Sequence, residues 1–294
     1  CGYRFNYAAK VLSTRQTDTI GLVIPTITNT VFADSTRGLQ DEATRRGYQL
    51  LMVNADYDPA AEGKLIQHLL ERQVDGLVMT VSNPMHTISG ELDAINIPAV
   101  FLYSSLTGGP VSSVGIDNER GGFDATAHLA DLGHTRIAML AGSFDSSDRS
   151  RDRYAGYCRC LKERGLEHDP RLVVQTDFGL EHCREAVARL MSTSEPPTAI
   201  FASNDLLAIG TMGELRARGL SVPEDVSVVG FDDIHIASYV APRLTTIRQP
   251  VYEMGQLAAQ MVLDSIGLDQ FEPRHLILDH QLVVRESTAS IRRT

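Results

Sequence analysis

The sequence predicts an α/β protein built from two similar parallel-sheet domains, and three observations carry that prediction. From Ile20 onward, short apolar runs alternate with amphipathic stretches of about ten to eighteen residues, the pattern of βαβ units. The chain has 294 residues, more than one small core usually supports. It also echoes itself: TDTIGLVIPT with its helix ending RRGYQLL parallels HTRIAMLAGS with its helix ending ERGLEHDPRLV. Each copy reads strand, polar loop, helix, Gly, strand. The first domain is therefore expected at about Thr19 to Asp117, with the second starting near Asn118.

The strands fall in order where apolar runs stand between turn residues and helical patterns. They are expected at Ile20 to Pro25, Tyr48 to Asn54, Gly76 to Thr80, Ala99 to Leu102, Ser113 to Ile116 and Ile137 to Ala141. Further runs lie at Leu172 to Gln175, Ala199 to Ala202, Val226 to Phe231, Thr245 to Arg248 and Gln281 to Val284. Asp58 followed by Pro59 reads as a helix N-cap and first helical position, while Gly47, Gly165 and Gly219 suit the left-handed residue that ends a helix. Two open sheets of this kind bind ligands at the carboxyl ends of their strands, so a crevice lined by both sets of strand ends is the expected site.

Apolar residues make up 43% of the chain, yet no run approaches the roughly eighteen consecutive apolar residues of a membrane span. A net charge of −10 argues against non-specific nucleic-acid binding by the body of the protein, because phosphate contact needs surplus Lys and Arg. The first segment leans the other way, with Arg4, Lys10 and Arg15 outnumbering Asp18. Cys1, Cys158, Cys160 and Cys183 are too few and too irregularly spaced for a disulfide framework or a zinc ribbon, which points to a reduced, cytoplasmic setting. Cys158 and Cys160, two apart on an expected helix, face different ways and read as packing residues. Cys1 in place of an initiator Met, with no secretory pattern behind it, reads as a trimmed start.

The chain contains no GxGxxG after a strand, no GxxxxGK[ST], no HExxH and no GxSxG, so the signatures of dinucleotide, nucleotide triphosphate, zinc-peptidase and serine-hydrolase chemistry all fail. His134 before a strand and His182 on a helix have no second ligand at a metal-like spacing and read as solvated or capping histidines. No enzyme activity, cofactor or metal is expected.

The opening stretch FNYAAKVLSTRQTDTIGLVIP joins an Ala-rich run of about seven residues to a Thr-rich spacer and a strand. A helix that short cannot hold itself together in water and needs a partner. The motifs GYRFNYAAKVL, TDTIGLVIP, ERQVDGLVM, VGIDNERGG, LGHTRIAMLAG, RYAGY, FASNDLLAIG, VPEDVSVVGFDDI and LTTIRQP give that observation a context. In this order they span nearly the whole chain, which resembles the lactose-repressor/galactose-repressor (LacI/GalR) family of bacterial transcription regulators.

The resemblance implies two doubly wound, periplasmic-binding-protein-like subdomains joined by three crossovers. Residues 19–117 plus 247–278 would form one, and 118–246 plus 279–294 the other. Residues 1–18 would be the end of a DNA-reading region and its hinge helix, a helix-turn-helix lying upstream. Asn6, Ala9 and Leu12 match the family's hinge pattern, in which paired helices of a homodimer enter the operator minor groove and Leu12 wedges between base pairs. Phe5 stands where the family usually carries Pro.

The resemblance also implies a small-molecule effector between the subdomains. Arg153 in RYAGY matches an Arg that grips ligand hydroxyls or a carboxylate, a job suited to a planar fork of donors. Asp232, the first acid of GFDDI, either accepts two ligand hydroxyls or caps a helix. Asn204 either meets the ligand or caps the helix that follows, and Asp117 either faces the ligand or serves a turn. Phe32 and Phe178 match positions where family members place ring faces against the ligand, and Gln249 either lines the cleft or ties the hinge strands together. Thr30 and Val31 depart from the common NPFF. Paired acids, Arg and Asn favour a sugar or sugar derivative over a purine. The expected function is a ligand-responsive repressor, a homodimer on operator DNA. A periplasmic-type sugar-binding protein is the alternative on the same fold.

Overall fold

The computed structural model describes residues 16–92, 97–268 and 270–291. The hinge positions Asn6, Ala9 and Leu12 lie outside these residues. In chain order the main elements begin with β1 (Thr19–Ile24), α1 (Thr30–Arg45), β2 (Gln49–Asn54), α2 (Pro59–Glu71), β3 (Gly76–Met79) and a short α3 (Pro84–Thr87). They continue with β4 (Ala99–Leu102), β5 (Ser112–Ile116), α4 (Asn118–Asp131), β6 (Ile137–Gly142), α5 (Asp148–Glu163), β7 (Val173–Thr176) and α6 (Cys183–Met191). The remainder are β8 (Ala199–Ala202), α7 (Asp205–Ala217), β9 (Ser227–Asp232), β10 (Thr245–Arg248), α8 (Val251–Ser265), β11 (His275–Leu278) and β12 (Gln281–Val283).

The chain folds as two compact units. The first gathers the described residues through Thr28 with Phe32–Gly115 and Val251–Leu276; the second gathers Asn29–Val31, Ile116–Pro250 and the residues from Ile277 onward. Each is built on a six-stranded sheet, in the order β2-β1-β3-β4-β5-β11 in one and β7-β6-β8-β9-β10-β12 in the other. The internal echo is therefore a repeat of topology. In both sheets the strand order reverses beside the first strand, between β1 and β3 and between β6 and β8, and doubly wound sheets bind ligands outside such reversals.

Physical chemistry accounts for the strands that stand out in sequence. β3, β4, β6, β8 and β9 are buried along their whole length, as strands of a parallel sheet covered on both faces must be, and so they read as continuous apolar runs. The cores beneath them are aliphatic and aromatic, with Ile66, Leu69, Leu77 and Met79 in the first unit and Tyr157, Phe201 and Phe231 in the second. Asp58 caps α2 by accepting from the Ala60 amide, with Pro59 in its first turn. Gly47, Gly165 and Gly219 take the positive φ expected of residues that end helices.

Three expectations are corrected. The edge strand β11 is missing from the sequence reading because its apolar run is only three residues long, Leu276 to Leu278, and none of its four residues is fully buried. β12 pairs antiparallel with β10 (Ile247 opposite Leu282), not parallel. It is an edge strand, and an otherwise parallel sheet tolerates an antiparallel strand there.

His134 is neither solvated nor a cap. It is buried, with Nδ1 2.9 Å from the Thr198 hydroxyl and Nε2 3.0 Å from the Ser227 hydroxyl and 3.1 Å from the Ala289 carbonyl. Burial lowers its pKa, so a neutral ring ties the C-terminal segment to β9 and to the start of β8. Cys160 and Cys183 are buried thiols, and burial raises Cys160 to about 11. Among the described residues no helix is long and apolar enough to cross a membrane.

Candidate functional site

Arg153 is delivered by a close helix crossing in the second unit. A side chain on Gly122 of α4 would place its Cβ 2.2 Å from the Arg153 carbonyl oxygen, and one on Gly156 of α5 would place its Cβ 1.9 Å from the Glu119 carbonyl oxygen. Two glycines thus let α4 and α5 touch backbone to backbone. The guanidinium then lies over the Phe231 ring, 3.5 Å from its centroid. Its Nε donates to Asn118 Oδ1 at 2.9 Å and its Nη1 to the Ser203 carbonyl at 2.5 Å. Phe231 in turn packs against Gly121, where a Cβ would stand 2.8 Å from the ring. Arg153 is buried and held in one orientation by these partners.

Asp232 ends β9 beside it. Its Oδ1 lies 3.6 Å from Arg153 Nη1 and accepts from Gln249 Nε2 at 2.7 Å. Asp232 has φ +114 and Asp233 has φ +53, a backbone region that favours glycine and that persists for other residues only where the surroundings enforce it. Such strain gathers at ligand-binding positions. Burial raises the Asp232 carboxyl to about 6, against the opposing pull of Arg153, the Gln249 hydrogen bond and Arg149. Gln249 is itself buried, and its Oε1 has no hydrogen-bond partner within the protein. A buried orphaned acceptor costs about 1 to 3 kcal/mol unless something supplies a donor.

The other expected positions fall into different roles. Asn204 is buried and caps α7, accepting from the Leu207 amide at 2.7 Å, next to the Ser203 carbonyl that holds Arg153. Asp117 is exposed and caps α4, accepting from the Arg120 amide at 2.8 Å. The residue beside it, Asn118, is the one that touches Arg153. Phe178 lies over the end of β6, where a Cβ on Gly142 would stand 1.9 Å from its ring. The structure therefore brings Arg153, Asp232 and Gln249 together, sets Asn204 beside them and leaves Asp117 to its helix.

Phe32 belongs to the first unit. It is buried and meets Tyr103 edge-on, with centroids 5.3 Å apart. At the carboxyl edge of that unit's sheet, Thr80 follows β3 with a buried hydroxyl that has no partner in the protein. Ser82 beyond it donates its amide and hydroxyl to the buried Glu62 at 2.8 and 3.0 Å.

Sequence reasoning missed Asn118, Arg149 and Asp148. Arg149 and Arg153 stand four apart, on one face of α5, and both are buried. Arg149 Nη1 bonds Asp148 Oδ1 at 2.9 Å, while burial raises the Asp148 pKa against that pairing. The i, i+4 spacing of arginines in DRSRDRYAGY was the signal available. Acceptors at Asp232 and Gln249 beside the donors of Arg153 suit a ligand rich in hydroxyl groups. Among the described residues no group of His, Cys, Asp and Glu could hold a metal ion.

Comparison with known proteins agrees with this fold. Residues 126–288 match the family model for a periplasmic binding protein-like domain. The catabolite control protein A of Priestia megaterium is 33% identical, over 98% of this chain and 86% of that protein. A LacI family transcriptional regulator from Enterococcus faecium, solved with bound ribose, is 31% identical with a TM-score of 0.83, over 93% of this chain and 100% of that one. A complex of the transcriptional regulator CelR with cellobiose is 33% identical with a TM-score of 0.81, over 95% and 88% of the two chains.

Proposed function

Because the chain belongs to the lactose-repressor/galactose-repressor (LacI/GalR) family of transcription regulators, we propose that it senses a sugar or sugar derivative and passes that signal to operator DNA as a repressor. The observation that carries the reading is the buried Asp232 carboxylate on a strained backbone, with Arg153 on one side and Gln249 on the other offering an unused acceptor. Ribose in one relative and cellobiose in another support the choice of ligand class. In this reading Asn6, Ala9 and Leu12 form the hinge on operator DNA, the partner is a second copy of the chain, and the setting is cytoplasmic.

A binder fits this site better than an enzyme. The raised carboxyl is engaged by a guanidinium and an amide, which orient a ligand, rather than by a nucleophile to be activated. A secreted solute-binding protein would share the fold, but the relatives of known kind are regulators.

A thermal-shift screen over ribose, cellobiose, other sugars, sugar phosphates, nucleobases and small acids tests this. A ligand at one hundred times its Kd stabilises by about 2.7 kcal/mol, and at least one sugar is expected to raise Tm by several degrees. Stabilisation by nucleobases with none from any sugar would contradict the reading.

A further inference from the structure

We propose that Asp205 is a positioning residue, holding the strained turn at Asp232 and Asp233 so that the Asp232 carboxyl presents itself to the effector. This rests on the reading of Asp232 as the effector-facing acid. Asp205 opens α7 and is fully buried in the second unit. One carboxyl oxygen accepts from the Ile234 amide at 2.8 Å, and the other accepts from the Thr246 hydroxyl at 2.6 Å. That hydroxyl accepts in turn from the Asp233 amide at 3.4 Å. Both amides that follow Asp232 are thereby held, one directly and one through Thr246.

The approach depends on a missing side chain. A Cβ on Gly230, within β9 and opposite Thr246 in the sheet, would stand 2.3 Å from Asp205 Oδ1. The Asp233 side chain is fixed separately by Arg248 at 2.7 Å and Arg285 at 2.6 Å, so it contributes to the turn without facing Asp232's partners. Asp205 acts on Asp232 through the backbone amides it holds, and it also lies close enough for the two carboxyls to repel each other, a charge effect that the test must separate from the hold on the turn. A buried carboxyl with two donors and no other task is costly to keep, and the two positive-φ residues next to it give it a purpose.

The test is a carboxyl carbon NMR titration of Asp232, assigned by comparison with Asp232→Asn, in wild type, Asp205→Asn and Asp205→Ala. In wild type Asp232, raised by burial, is expected to titrate at about 6. Asp205→Ala releases the turn and is expected to move that titration by about one pH unit or more toward the ordinary carboxylate range. Asp205→Asn, which keeps an acceptor, is expected to restore most of it. Equal shifts in both variants, the signature of a lost charge alone, would overturn the proposal, as would no shift in either.

Should Asp205→Ala fail to fold, Thr246→Val removes only the hydroxyl leg; a smaller shift in the same direction supports the proposal and none overturns it. Thermal shifts with ribose and cellobiose separate the role of Asp205 from that of Asp232. Sugar stabilisation retained in Asp232→Asn would overturn the effector reading on which this role rests, even with the Asp232 titration still responding to Asp205→Ala.

Discussion

Asp232→Asn is expected to lower effector affinity at neutral pH by about 1.5 to 3 kcal/mol, roughly 10- to 150-fold, the range for hydrogen bonds that involve a charged group. The substitution keeps the shape and the neighbour Gln249 but removes the charge that ligand hydroxyls would meet. The pH dependence separates this from a packing effect. With Asp232 raised to about 6, wild-type affinity should fall as pH drops through 6 and the carboxylate takes up a proton, whereas Asp232→Asn should be flat.

Folding stability moves the other way. The folded-state pKa exceeds the ordinary value, so between those values the folded state binds the extra proton. The group therefore costs stability above about pH 6, and that cost is relieved as pH falls toward the ordinary carboxylate range. Isothermal titration calorimetry across this window, with melting curves of the free protein, checks both signs.

Arg153→Ala is expected to be the more damaging change. It strips the Asn118 and Ser203 bonds and leaves Asp232 buried with its charge uncompensated, a situation that typically costs about 3 to 5 kcal/mol. Asp232 should then titrate still higher, because the guanidinium that holds its pKa down is gone. Lys at this position should not rescue binding, because an ammonium cannot lie flat on Phe231 while donating sideways to Asn118 and to the Ser203 carbonyl. Combining Arg153→Ala with Asp232→Asn should recover part of the lost stability, since the second change removes the stranded charge. Strict additivity in a denaturation double-mutant cycle would contradict the coupling.

The part of this architecture that was legible in sequence is the part written in neighbouring residues. Fully buried strands such as β6 and β8 announce themselves as apolar runs, and Asp58 with Pro59 marks a helix start because cap and donor are two residues apart. The motifs RYAGY, GFDDI and TTIRQP pointed to Arg153, Asp232 and Gln249, which the fold gathers from positions far apart in sequence. What stayed hidden depends on partners distant along the chain.

Asn118 acquires its role from an arginine 35 residues away, and Asp205 from a threonine 41 residues away. His134 looks like a loop histidine until Ser227 and Ala289 close around it. Asp117 and Asn118 show the limit most sharply. Adjacent polar residues at a strand end offer the same chemistry, and only the handedness of the helix start decides that one caps while the other reaches Arg153.

In the proposed mechanism an acid fixed at the end of β9 lets a sugar control operator binding. Operator affinity of the full-length regulator, measured with and without a sugar that stabilises the protein, tests it most directly when wild type and Asp232→Asn are compared. A ligand-dependent change of at least about fivefold is expected in wild type, the lower end of ordinary allosteric coupling. Ligand-free binding should be unaltered in Asp232→Asn, with little or no response to the same sugar. A wild-type operator affinity indifferent to a sugar that demonstrably binds, or a variant that responds as fully as wild type, would contradict it.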